Sequence, residues 1–186
     1  MFFLRDILPN PVDPTNTPQP QFVGLAFDYR LLNLTSELDL RVSDTYDLSL
    51  TADYVRNMAY HESDVPAPGA LGHNINNCAA NDVNCHLKSG PNGWQGKVAF
   101  GNLTPTEAWD WNMFGGYRYV QPDAVLDAFT DSDFHLGGTN AKGYFIGGQL
   151  AVYKNTWLTA RYLSADEVYG DPLAIDVLQF DLNARF

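Results

Sequence analysis

From Val23 to Phe186 apolar side chains return at every second position, interrupted only by polar, Pro-rich or Gly-rich intervals. The final stretch, VLQFDLNARF, shows the pattern most clearly. Leu178, Phe180, Leu182, Ala184 and Phe186 share one parity, and Gln179, Asp181, Asn183 and Arg185 share the other. A period of two is the strand period, because successive side chains point to opposite faces of a sheet. The chain is therefore confined to β-structure with two chemically different faces. In a soluble sheet the apolar face turns inward; in a membrane barrel it turns outward to lipid, and the polar face lines the lumen.

Residues 1–21 stand apart, with five prolines and no alternation, and predict an irregular segment. Residues 22–186 carry the strands. Val23 to Val42 predicts one long strand with a bulge where the parity changes at Leu31 and Leu32. A second strand carries Leu48, Leu50, Ala52, Tyr54 and Met58 on one face. Three more follow, in WQGKVAFGN, in WDWNMFGGYRYV from Trp109, and in YFIGGQLAVY. WLTARYL and the closing stretch bring the expected number to about seven. The connections SDTYD, LTPTEA and KNT are short, whereas Glu62 to Gly93, Gln121 to Lys142 and SADEVYGDP are longer. Short and long connections alternate, so all the short ones fall on one side of the sheet. Sorting of that kind belongs to an outer-membrane barrel, with short periplasmic turns and long external loops.

Composition narrows the function. Aromatic residues make up 13% of the chain, and 22 acids stand against 11 bases. So acidic a chain is poorly suited to neutralising phosphates, which argues against nucleic-acid binding. No apolar run approaches the ~18 residues that a transmembrane helix needs. Asp123, Asp127, Asp131 and Asp133 crowd one connection and Asp166, Glu167 and Asp171 another; both groups read as solvated loop charge.

The terminal LQFDLNARF is similar to the closing strand of outer-membrane barrels. Aromatic residues beside two short turns, Trp109 and Trp111 at one and Trp157 at the other, resemble an interfacial girdle. FVGLAFDYRLLNL resembles a strand that follows a large surface loop. With the rhythm of strands and loops, residues 20–186 resemble the C-terminal part of a bacterial outer-membrane porin of the group called Putative porin. The resemblance implies an all-β, antiparallel, up-and-down transmembrane barrel segment of about seven strands. It implies no enzymatic activity and no cofactor. Seven strands do not make the even number of a single-chain bacterial barrel, and MFFLRD is too short an apolar stretch for a secretory signal. Both features are expected if the chain is the last portion of a longer porin, with residues 1–21 the remnant of an external loop. The resemblance also implies that Leu178, Phe180, Leu182, Ala184 and Phe186 form the signal read by the barrel assembly machinery. Outer-membrane lipid, small solutes or ions and a homotrimer are the further partners it suggests.

Chemistry of other kinds finds little support. No glycine pair precedes the Lys-Ser/Thr of a phosphate loop, and His61, His73, His86 and His135 all fall in or beside connections. Cys78 and Cys85, with six residues between them in a polar loop, are expected to form a disulfide on the oxidising side of the membrane. Free thiols, or a metal held with His73 and His86, are the alternatives; their spacing fits no common zinc pattern. The polar parities carry Glu37, Asp39, Arg41, Asp53, Lys97, Asp110, Arg118, Arg161, Asp181 and Arg185, along with Gln149, Gln179 and Asn183. These are the expected lumen residues of a passive channel for ions or small hydrophilic solutes. An interior network that only braces the wall is the competing reading for each. For the whole chain, the alternatives are a small non-porin outer-membrane barrel with adhesive loops and a soluble β-sandwich.

Overall fold

A computed structural model describes residues 2–4, 23–25, 28–62, 89–170 and 172–185. Two short strands, β1 (Phe2–Leu4) and β2 (Val23–Leu25), pair antiparallel with each other. Seven longer strands form one sheet: β3 (Leu31–Arg41), β4 (Asp47–Asn57), β5 (Asn92–Gly101), β6 (Trp111–Val120), β7 (Ala141–Tyr153), β8 (Thr156–Glu167) and β9 (Ile175–Ala184). Each pairs antiparallel with its neighbour in sequence, in the order β3-β4-β5-β6-β7-β8-β9. The sheet does not close, and β3 and β9 are its edges, running in the same direction.

Three strand boundaries differ from the sequence expectation. The stretch from Val23 to Val42 is not one bulged strand, because Val23–Leu25 belongs to the small sheet and β3 begins at Leu31. Asn57 sets that boundary. Its Oδ1 accepts from the Arg30 amide at 3.1 Å, while the Met58 amide donates to the Arg30 carbonyl at 2.7 Å, so Arg30 belongs to a cap rather than to the ladder. Phe2–Leu4, in the segment expected to be irregular, is strand; Phe-Phe-Leu is a strongly β-favouring triplet. The sixth strand starts at Trp111 rather than Trp109, since Trp109 has a φ of 77° that no strand residue adopts. The Asp110 carboxylate accepts from the Thr106 and Glu107 amides at 3.0 and 2.9 Å and so organises the β5–β6 turn. Finally, a bulge between Ala151 and Tyr153 closes the β7–β8 hairpin.

Connections 42–46, 102–110 and 154–155 fall at one end of the sheet, and 58–91, 121–140 and 168–174 at the other. No helix of the described residues is long and apolar enough to cross a membrane. The small apolar core lies against one face: Phe134, Ala141, Leu163 and Ala165 are buried, with Phe145 and Val177 packed on them.

Candidate pore wall

Register fixes which side chains share a face. Leu38, Leu50, Val98, Gly115, Ile146, Tyr162 and Leu178 follow one another across all seven strands. Nearer the short turns comes a second row: Leu40, Leu48, Phe100, Met113, Gly148, Ala160 and Phe180. This face is apolar and largely uncovered, with Phe180 75% and Leu182 70% exposed. Aromatic rings gather at its two ends. Trp94 stacks on Tyr117 and Tyr119 at the loop end, and Tyr46 contacts Phe100 and Trp111 at the turn end. From Trp111 to Tyr119 is about 26 Å of strand. At the tilt of barrel strands that becomes ~20 Å, near the ~25 Å apolar band of outer-membrane barrels.

The other face is polar. Glu37, Thr51 and Lys97 form one row; Thr35, Asp53, Gln95 and Arg118 form the next. On the far strands a ladder of amides and hydroxyls runs from Asn112 to Gln149 (2.8 Å), from Gln149 to Thr159 (3.4 Å) and from Asn183 to Thr159 (3.3 Å). On this face side chains of β5 to β9, with Asp131 of the connection 121–140, line one recess of about 590 Å³. Glu37, Asp39, Arg41, Asp53, Lys97, Arg118, Arg161, Asp181 and Arg185 all lie on this face by register or by lining the recesses beneath it. Leu178, Phe180, Leu182 and Ala184 lie on the opposite, apolar face. Phe186, Cys78 and Cys85 fall outside the described residues. Trp157, expected in the girdle, is on the inner face opposite Ala151 and Asn183, because its position has the parity of Thr159 and Arg161.

The connection 121–140 folds onto this inner face, contrary to the expectation that its acids are merely solvated. Asp131 accepts from Arg118 at 3.3 Å, and Asp133 from Arg161 at 3.1 Å. Arg118 also donates from Nε to Gln95 Oε1 at 2.7 Å and lies over the rings of Phe134 and Phe145, at 4.8 and 5.9 Å. Phe134, only 3% exposed, plugs the loop into the apolar core. The Asp127 carboxylate holds the loop's return, accepting from Thr139 N and Oγ1 at 2.9 and 2.8 Å. Asp131, Asp133 and Phe134 thus join the site. A signal for them existed in the sequence, since Arg118 and Arg161 stood on the inner parity with no acid opposite either one.

Where the loops meet the strands, a polar collar ties the sheet together. Asn57 donates from Nδ2 to the Asp28 and Asp123 carbonyls, both at 3.3 Å. Gln121 Oε1 accepts from Asn92 N at 3.0 Å, and Gln121 Nε2 donates to the Tyr169 hydroxyl at 2.9 Å. Asp123 is completely buried: Oδ2 accepts from the Ser89 hydroxyl, while Oδ1 has no hydrogen-bond partner among the described residues. Burial raises its pKa to about 6, and the charge of Asp127 pushes the same way.

The described residues contain no group of acids, histidines or cysteines suited to a metal ion. The geometry is that of a two-faced wall: exposed apolar and aromatic side chains on one side, charges, amides and hydroxyls on the other, and a loop folded across the polar side. No curated protein and no solved structure matches the chain. A family model described as Putative porin matches residues 1–186, the whole of it, and the chain belongs to that porin family.

Proposed function

We propose that this chain supplies part of the wall of a passive diffusion channel for ions or small hydrophilic solutes in the bacterial outer membrane. The observation that carries the reading is the inversion of the sheet. Its apolar side chains stand exposed on one face, framed by aromatic rings, while charges and amides line the other. A soluble sheet with that outer face would aggregate, whereas lipid satisfies it. Transport needs no chemistry: solutes diffuse past the inner wall, and the loop 121–140 narrows the path. The terminal strand, with Leu178, Phe180, Leu182 and Ala184 aimed outward, presents the barrel assembly machinery with the face it would read.

The test is planar-bilayer recording of the protein purified from outer membranes. Steady ohmic conductance steps are expected, growing when residues 128–138 are replaced by a short Gly-Ser linker. A protein released from membranes by urea, or one giving no conductance steps, would overturn the proposal.

A further inference from the structure

Resting on the channel reading, we infer that this wall selects for cations, and that Asp131 and Asp133 set the preference by silencing the two arginines of the inner face. On its own, the wall of β5 to β8 is basic, with Lys97, Arg118 and Arg161 on its inner side. The inward loop cancels two of those charges through the Arg118–Asp131 and Arg161–Asp133 pairs. Arg41 is likewise paired, with Asp47 at 3.4 Å.

The charges without an ionic partner are not balanced. Among the described residues, Glu37, Asp39, Asp53 and Asp181 make no ion pair, against Lys97 and Arg185 among the inner-face bases. Position sharpens the imbalance. Glu37 and Asp39 are two residues apart on β3, and Asp53 lies one row on in β4, opposite Thr35. Hydroxyls hold two of them: Thr35 donates to Asp53 at 2.7 Å and Ser49 to Glu37 at 3.5 Å. Alternate residues on a strand are about 7 Å apart. Glu37 is thus about 7 Å from Asp39 and about 8 Å on the diagonal from Asp53, both near the ~8 Å screening length at physiological salt, so an ion beside Glu37 also feels each neighbour. A low-dielectric wall on one side strengthens their field.

Lys97 does little to offset them. It shares a row with Glu37 and Thr51, two strands or about 10 Å from Glu37. Its ammonium lies 5.4 Å from the Phe114 ring, on the β6 side. Arg185 lies at the turn end, beside Asn155 and Trp157. A hydrated cation therefore meets a continuous acidic strip along β3 and β4, whereas an anion meets arginines already occupied by loop carboxylates. Rings or rows of Asp and Glu are what cation-selective pores use.

The test is the reversal potential of the protein, purified from outer membranes, in a tenfold KCl gradient. The native channel should show a potassium-to-chloride permeability ratio of about threefold or more. Asp131→Asn with Asp133→Asn frees two guanidinium groups and should lower that ratio to near or below one. Glu37→Gln, Asp39→Asn and Asp53→Asn together should lower it as well, while leaving the loop contacts untouched. Anion preference in the native channel, or an unchanged ratio in both variants, would overturn the inference and leave the channel reading standing. Absence of any conductance would overturn both.

Discussion

The guanidinium of Arg118 lies 4.8 Å over the ring of Phe134 while donating to Asp131 at 3.3 Å. One wall residue thus grips the inward loop through an ionic contact and an aromatic one, three residues apart on the loop. The aromatic contact anchors more strongly, because Phe134 is buried with Leu163 and Ala165 whereas the ion pair is part-exposed. A part-exposed pair contributes up to about 1 kcal/mol. Emptying a buried phenylalanine site costs roughly 3 kcal/mol or more.

Phe134→Ala should therefore release the loop where Asp131→Asn only loosens it. Limited proteolysis is expected to cut Phe134→Ala within residues 121–140 at least tenfold faster than the native protein, with the strands left intact. Equal cutting rates in the two variants would show that the core contact does not hold the loop.

The buried carboxylate of Asp123 predicts an unusual pH dependence. Its folded pKa, about 6, lies above the ordinary carboxyl value of 3.8, so between these values the folded state binds more protons than the unfolded one. Stability from this group is fully present below about pH 4 and is lost as the pH rises through 6. The difference of roughly two pKa units corresponds to about 3 kcal/mol. Amide exchange in the collar, at Gln121 and Asp123, whose amides donate to the Asn92 and Gly90 carbonyls, should accelerate between pH 5 and 7.5 beyond the intrinsic rate change. Asp123→Asn should abolish that excess. A collar that protects its amides equally at both pH values would count against an ionising Asp123.

How legible this was in the sequence depended on range. Alternation gave the faces of β4 to β9, since parity is a local property, and the inner positions of Arg118, Arg161 and Asp181 followed from it. Parity cannot tell where a strand stops. Trp109, Asp110 and Trp111 continue the pattern, yet Trp109 takes a left-handed φ and Asp110 caps the turn. The bulged-strand expectation at Leu31 failed in the same way, because the boundary is set by Asn57, 27 residues from Arg30. The inward loop was hidden for a related reason. Asp133 meets Arg161 across 28 residues, and acidic loop composition looks the same whether its carboxylates meet water or guanidinium.

Glycines on the inner face make a narrower prediction. A Cβ on Gly116 would meet the carbonyl of Gly96 and the ring of Phe145, which lies over this position. Gly116→Ala should displace Phe145, weaken its contact with Arg118 and lower thermal stability by about 1–3 kcal/mol. Gly96→Ala, on the outer face where a Cβ meets nothing, is the matched control and should be near neutral. A larger loss in the control would mean that strand flexibility, not steric fit, governs these sites.

Cys78 and Cys85 lead to a chemical test of sidedness. If their loop faces the oxidising exterior, the two form a disulfide and the denatured, unreduced protein takes up no thiol label. Labelling at both cysteines would remove that assignment.

The inversion of the two faces can be tested by moving one charge across the wall. Val98 lies mid-band on the outer face, between Leu50 and Gly115, and is about half exposed. Thr51 lies at nearly the same depth on the inner face, between Glu37 and Lys97. In a soluble sheet with an exposed outer face, Val98→Arg would be harmless, since it would place a charge in water. In a bilayer the same change places a guanidinium against lipid near the midplane, at a cost of ~2–4 kcal/mol. Thr51→Arg meets water and the neighbouring Glu37 carboxylate, and should cost little. Membrane fractions should therefore hold several-fold less folded Val98→Arg protein than native protein, with Thr51→Arg near the native amount. The reverse ranking would place the polar face against lipid and remove the physical basis of the channel.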